Sequence, residues 1–514
     1  MEFKDLVEEK LGYVFSEDGV YEPDEIVFTV KLRAKVEIGD IVCIEHPSKP
    51  GIPVFYQVVE VPLRRKARDY EEDLIRMGKP LMDDSRNYPR ARAKQIGYIE
   101  DLELLLSGKA SIDNLLMLIE HVKPLSEVYA PKHEVIEKLL EPSAPSIEVG
   151  SIYPSWKHKL KLELPKLLRQ GLLIVGGVGT GKTTTMLTLL IRIIRKIREL
   201  GGTPHILIID KDGEYGSQEL RETAGGVGNY ARIHVDEIDV LEFMSRDEYL
   251  RELLVNLGYY DRRTKAAKAI EAAVKNLHEE SYTLTPDYVL EKVLPEIQDV
   301  KLRAEIRSKV VDWKKKFENQ QLSMPKYDVS DIVDLLKFKT VVHIDLSATR
   351  DFDHAFKVLT NILRKIYSEA LVNEKFGCII AIDEAHLFCP EKGGITLAGD
   401  DAVRSLRDTI HLIATTGPRN GVTPFIATQR PSLISKTITT QMGQNIIAHR
   451  VEDIDLARIE EIVGPIARKV RVLPRGWAIV KALAAKIREP LIVKVEAETT
   501  PESTGKTAYD RFLQ

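Results

Sequence analysis

Alternation of apolar and polar positions organises the first hundred residues. Glu25-Ile26-Val27-Phe28-Thr29-Val30-Lys31-Leu32 has the period-two pattern of a half-buried strand. Gly39-Asp40 then turns into Ile41-Val42-Cys43-Ile44, and Pro53–Val61 and Ala91–Glu100 supply further strands. Short strands at near-regular spacing predict a small β-barrel over residues 1–105. Pro124, Pro131, Pro142 and Pro145 punctuate residues 106–150, which read as a linker carrying short helices. From residue 151 short apolar strands alternate with amphipathic segments, the signature of an α/β core. Residues 243–330 interrupt that alternation with charged text of helical period, as in Tyr249–Leu254 and Ala266–Leu277. They read as a helical insertion that divides the core into 151–242 and 331–498, with 499–514 as a polar tail. Lys314-Lys315-Lys316 reads as an exposed helix face.

The length of 514 residues agrees with several domains. Lys and Arg total 74 against 78 Asp and Glu, a formal net charge of -4, which excludes a polybasic protein but leaves room for a local basic channel. The stretch Arg64-Arg65-Lys66-Ala67-Arg68 reads as a solvated loop, with a nucleic-acid or subunit contact as the alternative. No run of 18 apolar residues occurs and Met1–Asp5 is acidic, so neither a membrane span nor a secretory signal is expected. Three cysteines, Cys43, Cys378 and Cys389, without zinc spacing, fit a reducing cytoplasm.

The candidate chemistry begins after the apolar strand Leu172–Val175. Gly176-Gly177-Val178-Gly179-Thr180-Gly181-Lys182-Thr183 is a complete G-x-x-x-x-G-K-[ST] match, with Thr184 after it, and opens an apolar helix. Glycines let successive backbone N–H groups converge on phosphate oxygens, and the helix N-terminus favours negative charge. Lys182 reaches the β- and γ-phosphates of ATP and Thr183 ligates Mg²⁺. A carboxylate is then needed for the magnesium shell and another for the attacking water. Cys378–Ile382 ends in Asp383-Glu384-Ala385-His386, which assigns Asp383 to the cation and Glu384 to water.

A second acidic strand end, Asp210-Lys211-Asp212-Gly213-Glu214-Tyr215, belongs to the next strand after the P-loop helix, so Asp210 or Glu214 is placed to assist at the water or magnesium, with a plain turn closed by Asp212-Gly213 as the alternative. Asp345, ending the strand Thr340–Ser347, reads as structural. Pro424–Pro431 is a strand ending in Thr428-Gln429-Arg430, where Thr428 and Gln429 sense the γ-phosphate. The loop Gly417-Pro418-Arg419-Asn420-Gly421 offers Arg419 as an arginine finger for a neighbouring subunit, with Arg430 and Arg450 as rivals.

Taken in order, barrel-like strands, P-loop, Asp210–Tyr215, helical insertion, Asp-Glu-Ala-His and Gln429-Arg430-Pro431-Ser432 resemble the HerA family of the HerA/FtsK superfamily, the archaeal hexameric DNA translocases. The resemblance implies a RecA-like P-loop core with a helical insertion behind a small barrel. It implies that Lys182 and Thr183 bind ATP-Mg, that Asp383 and Glu384 drive hydrolysis, and that Asp210 and Gln429 support them. It also implies a hexameric ring around duplex DNA, a NurA-like nuclease partner in resecting DNA ends, and a C-terminal segment bracing the neighbour. Two spellings depart from the family. Pro418 and Arg419 stand where the family's Gly-Arg-Lys-Tyr-Gly has Arg and Lys, and the P-loop reads Gly-Gly-Val-Gly-Thr-Gly.

The leading expectation is therefore an ATP-driven translocase or helicase on double-stranded DNA. A ring ATPase for viral or conjugative DNA packaging or for protein remodelling is the alternative, and a nucleotide-switched scaffold recruiting a nuclease is a third. Candidate DNA-gripping loops are Glu391–Asp401, which holds only Lys392, and the insertion.

Overall fold

The computed structural model describes residues 2–15, 22–31, 34–61, 90–239, 246–261, 263–277, 282, 284–320, 326–391 and 396–502. The basic stretch Arg64–Arg68, Lys392 and residues 503–514 lie outside the described residues.

Six strands close an antiparallel barrel: β1 (Val7–Val14), β2 (Glu25–Val30), β3 (Ile41–Glu45), β4 (Pro53–Glu60), β5 (Arg90–Tyr98) and β6 (Glu127–Pro131), in the order β1-β2-β5-β4-β3-β6. Alternate residues point inward, so Phe28, Val42, Val54, Tyr56, Ala91 and Ala93 share one core. The closing strand β6 comes from the stretch whose prolines suggested a linker. Residues 106–150 thus feed both bodies, because the helix His133–Leu140 follows β6 and β7 (Ser146–Ile152) enters the large sheet.

That sheet has 11 strands in the order β11-β14-β10-β15-β16-β9-β17-β18-β19-β7-β8. Its members are β7, β8 (Lys159–Glu163), β9 (Leu172–Val175), β10 (Ile206–Asp210), β11 (Tyr230–His234), β14 (Val341–Asp345), β15 (Cys378–Ile382), β16 (Val422–Thr428), β17 (Asn445–Ala448), β18 (Trp477–Ala482) and β19 (Leu491–Val495). From β11 across to β17 every neighbouring pair is parallel; from β17 to β8 every pair is antiparallel. The central strands are buried along their whole length, which is why they read as unbroken apolar runs. One face is covered by the helix Lys182–Glu199, whose Met186–Ile191, Ile193 and Ile194 are buried. The other is covered by Phe352–Val372 and Asp400–Thr416. Each fully buried Leu or Ile contributes roughly 1.5–3 kcal/mol of transfer free energy.

The insertion leaves after β12 (Ile238–Asp239) and returns at β13 (Tyr327–Asp328), and these two strands pair at its root. Its helices Arg246–Asn256, Lys265–Asn276 and Val300–Gln320 bury a core of their own around Tyr249, Leu253, Ile270, Val274 and Ile306. Lys314 there pairs with Asp287. Among the described residues no helix is long and apolar enough to cross a membrane. All three cysteines are buried and free; burial pushes the thiols of Cys378 and Cys389 up to about 12, so they are protonated and unreactive near neutral pH.

Candidate nucleotide site

The parallel order fixes where chemistry happens. Strands β10, β15, β16, β9 and β17 all release their chains at one edge, so residues 210–215, 383–386, 428–430, 176–183 and 449–450 meet there. The P-loop between β9 and its helix is shaped by two glycines with distinct reasons. A Cβ on Gly176 would lie 2.7 Å from both His449 Cβ and Thr180 Oγ1, and Gly181 has φ +116°, where side chains are strained. Val178 at the tip is 79% exposed. Thr180 Oγ1 donates to Gly177 O at 2.8 Å, and Gly177 N donates to Arg450 O at 2.7 Å, tying the loop to β17.

Lys182 is buried, with Nζ 3.4 Å from Gly177 O and 3.7 Å from Glu384 Oε1. Thr183 Oγ1 donates to Glu214 Oε2 at 3.0 Å. Asp383 and Glu384 are both buried. Glu384 Oε1 accepts Gln429 Nε2 at 2.5 Å and Oε2 accepts Gln429 N at 3.2 Å, which aims the carboxylate at the P-loop lysine. Its backbone is left-handed, φ +47°, a conformation that costs a bulky residue about 1 kcal/mol or more and that is stored here at the candidate base. Burial pushes the Glu384 carboxyl above its ordinary range against the pull of Lys182 and Gln429. Burial, then the Glu384 and Asp210 charges, push Asp383 well above its own.

Two adjacent buried carboxyls facing one ammonium make a site short of positive charge. A divalent cation fits it: Thr183 Oγ1 and an Asp383 oxygen are hard donors, and Mg²⁺ takes one or two protein oxygens beside phosphate and water. No group of three or more His, Cys, Asp or Glu able to hold a metal by itself occurs among the described residues. This donor set therefore suits a cation that arrives with a polyphosphate.

Asp210 is engaged in closing a turn, the alternative reading of its strand end. Oδ1 accepts the N–H groups of Asp212 at 3.1 Å and Gly213 at 2.8 Å; Oδ2 accepts Tyr215 N at 2.9 Å and lies 2.9 Å from His343 Nε2. His343 Nδ1 continues to Tyr230 Oη at 2.7 Å. With its lone pairs committed, Asp210 folds the 211–215 loop, and Glu214 is the acid that loop brings to Thr183. Burial pushes Asp210 up, but His343 and the backbone N–H groups outweigh it and hold the carboxyl below its ordinary range. A depressed carboxylate stabilises the fold above its unfolded pKa, and that stability is lost as pH falls through the folded value. Asp210→Ala is expected to cost about 3 kcal/mol at pH 7 in chemical denaturation. The gap to wild type should narrow below about pH 4.

The remaining candidates are placed as follows. Thr428 is fully buried and its Oγ1 meets His386 Nδ1 at 3.1 Å, so of these two neighbours it is Gln429 that reaches Glu384, with His386 Nδ1 also 3.4 Å from Glu384 Oε2. Asp345 holds Arg232 at 2.9 Å, the structural part its sequence suggested. Arg430 pairs with buried Asp455 at 3.1 Å. Arg450 is exposed on the P-loop's own edge, and Arg419 is exposed at the opposite edge, just before β16. His449 was not singled out from sequence: its Nε2 meets Thr185 Oγ1 and its Nδ1 meets Trp477 O, both at 2.9 Å, and burial lowers it to about 4. Burial first, then Arg430 and Lys182, lower His386 to about 4 as well, so both rings are neutral near pH 7. His386 belongs to the Asp-Glu-Ala-His motif, whereas a histidine directly after an apolar strand is the trace His449 leaves in the sequence.

Residues 147–366 match the family model described as "Helicase HerA, central domain". The chain is similar to the DNA double-strand break repair helicase HerA of Sulfurisphaera tokodaii, with 25% identity over 446 residues, 82% of this chain and 84% of that one. It is also similar to the HerA helicase of Saccharolobus solfataricus, with 25% identity over 445 residues, 82% and 83% of the two chains. Among solved structures, VirB4 of Thermoanaerobacter pseudethanolicus aligns with TM-score 0.43 and 13% identity over 68% of this chain and 96% of that one.

Proposed function

On the premise that residues 147–366 form a HerA-type central domain, we propose that this protein is an ATP hydrolase that drives a motor on double-stranded DNA. The observation that carries the reading is the meeting of Lys182, Thr183, Asp383, Glu384 and Gln429 at one edge of a parallel sheet. The P-loop from Gly176 to Thr183, with Thr184, holds the phosphates. Lys182 neutralises the β- and γ-oxygens, and Thr183 and Asp383 would hold a Mg²⁺, which would supply charge neutralisation on the transferring phosphoryl group. Glu384, with its carboxylate fixed by Gln429, orients and deprotonates the attacking water. DNA enters through the relatives, whose names are those of DNA double-strand break repair helicases. The protein works as a hexameric ring in the cytoplasm, in end resection beside a NurA-like nuclease.

The test is ATP turnover with and without linear duplex DNA. Duplex should stimulate turnover by about tenfold or more by favouring the hydrolytic state. That stimulation should weaken steeply between about 50 and 200 mM salt as phosphate contacts are lost. Turnover indifferent to duplex at low salt would remove the DNA motor.

A further inference from the structure

The segment that follows β19 crosses the whole flank of the nucleotide site. At its start, Val495 N donates to Gly476 O at 2.9 Å, and Gly476 N donates to Thr180 O at 3.0 Å, so the end of β19 is clamped to the P-loop backbone. The chain then passes over the P-loop helix. Arg192 donates to Glu496 O at 2.8 Å and to Glu498 Oε1 at 3.0 Å, Arg195 reaches Glu498 Oε2 at 2.7 Å, and Glu498 N donates to Thr188 Oγ1 at 3.1 Å. It reaches the 211–217 loop, where Glu502 N donates to Glu214 O at 3.0 Å. The Glu502 carboxylate is held by Arg221 and, at 2.7 Å, by Arg232. Arg232 is itself fixed by Asp345 and donates to Gly213 O at 3.2 Å. The loop is built for this approach: a Cβ on Gly216 would lie 2.4 Å from Glu502 Oε2.

Resting on the nucleotide reading above, we propose that Glu496–Glu502 is a strap in cis, and that Glu502 is a positioning residue which holds Glu214 in place beside Thr183 and so sets the affinity of the site for its divalent cation. The chain of contact is short. Glu502 N fixes the Glu214 carbonyl, the Glu214 carboxylate accepts from Thr183 Oγ1, and Thr183 is the hydroxyl that would ligate the cation. Arg221 and Arg232 anchor the strap, so losing the Glu502 carboxylate frees the backbone contact as well. Partners that orient a ligand in this way typically change metal affinity by about 10- to 100-fold when removed.

The experiment titrates Mg²⁺ against binding of a fluorescent ATP analogue to the full chain, and repeats the binding in EDTA. Glu502→Ala should raise the Mg²⁺ midpoint about tenfold, with affinity in EDTA within about twofold of wild type. Gly216→Ala, which pushes on the same carboxylate from the other side, should do likewise, and Glu502→Gln, keeping one acceptor oxygen, should fall between. Amide exchange over residues 213–216 should speed up in Glu502→Ala. An unchanged midpoint, or equal losses with and without Mg²⁺, would overturn the strap. Lys182→Ala separates the two claims: if it leaves analogue binding intact, the nucleotide reading itself fails.

Discussion

Glu384→Gln is expected to lower ATP turnover by about 10²–10⁴-fold while ATP still binds. Gln keeps the size and one acceptor oxygen, so the contacts from Gln429 survive in part, and what disappears is the group that takes the water's proton. The same substitution should stabilise the nucleotide-free protein. Glu384 is a buried carboxyl raised above its ordinary range, so the folded state holds its proton more tightly than the unfolded chain does. For such a group, stability is greatest below the unfolded pKa and is lost as pH rises through the folded value. The melting temperature of Glu384→Gln should therefore exceed that of wild type at pH 7–8. The difference should close towards about pH 4, where the wild-type carboxyl is protonated in both states. Thermal melts across that range check the sign, and a variant less stable than wild type at pH 8 would mean that the Lys182 and Gln429 contacts outweigh burial. Catalytic power and apo stability are opposed at this residue, and its left-handed backbone adds to the cost.

The α/β core was legible because its candidate chemistry coincides with its packing. Parallel strands buried on both faces read as apolar runs, and each run here ends in a residue of the site that gathers at one edge: Gly176, Asp210, Asp383, Thr428. The barrel was legible only where its strands keep period two. In β1 the register slips between Val7, Lys10 and Gly12, and a Cβ on Gly12 would meet Thr29 O at 1.5 Å. Bulges and close approach erase the alternation that a strand otherwise shows. Strand β6 is five residues ending in proline, too short for any period, and its partners lie more than 80 residues upstream. Within the site, Lys182, Asp383 and Glu384 follow from motif chemistry, whereas the division of labour between Asp210 and Glu214 does not. Both acids close one loop, and only the pairing of β10 with β14 brings His343 to Asp210 and leaves Glu214 for Thr183. The strap is likewise invisible in Glu496–Glu502 alone, because its partners Arg192, Arg221 and Arg232 lie about 270–306 residues away in the chain.

Arg419→Ala should be nearly inactive by itself and should regain turnover when mixed with Glu384→Gln. The argument is one of placement. Arg419 lies on the short turn before β16, exposed and without an ion pair among the described residues, while the P-loop, Asp383 and Gln429 lie at the far ends of the strands. The seven residues of β16 put about 20 Å between those edges, so Arg419 cannot reach the nucleotide of its own chain. In the head-to-tail ring proposed above the two edges would face one another across each interface, and an arginine inserted from the neighbour is worth about 10³–10⁵ in rate. Arg419→Ala keeps an intact site and Glu384→Gln keeps an intact finger, so random reassembly makes about one interface in four complete. Turnover approaching that fraction of wild type is the expected outcome. Arg450 stands on the nucleotide's own edge, so Arg450→Ala mixed with Glu384→Gln should show no such recovery. Nor should an Arg430 variant, since Arg430 is engaged by Asp455 within its own chain. Failure of the Arg419 mixture to recover, with subunit exchange demonstrated, would move the finger elsewhere on the ring interface.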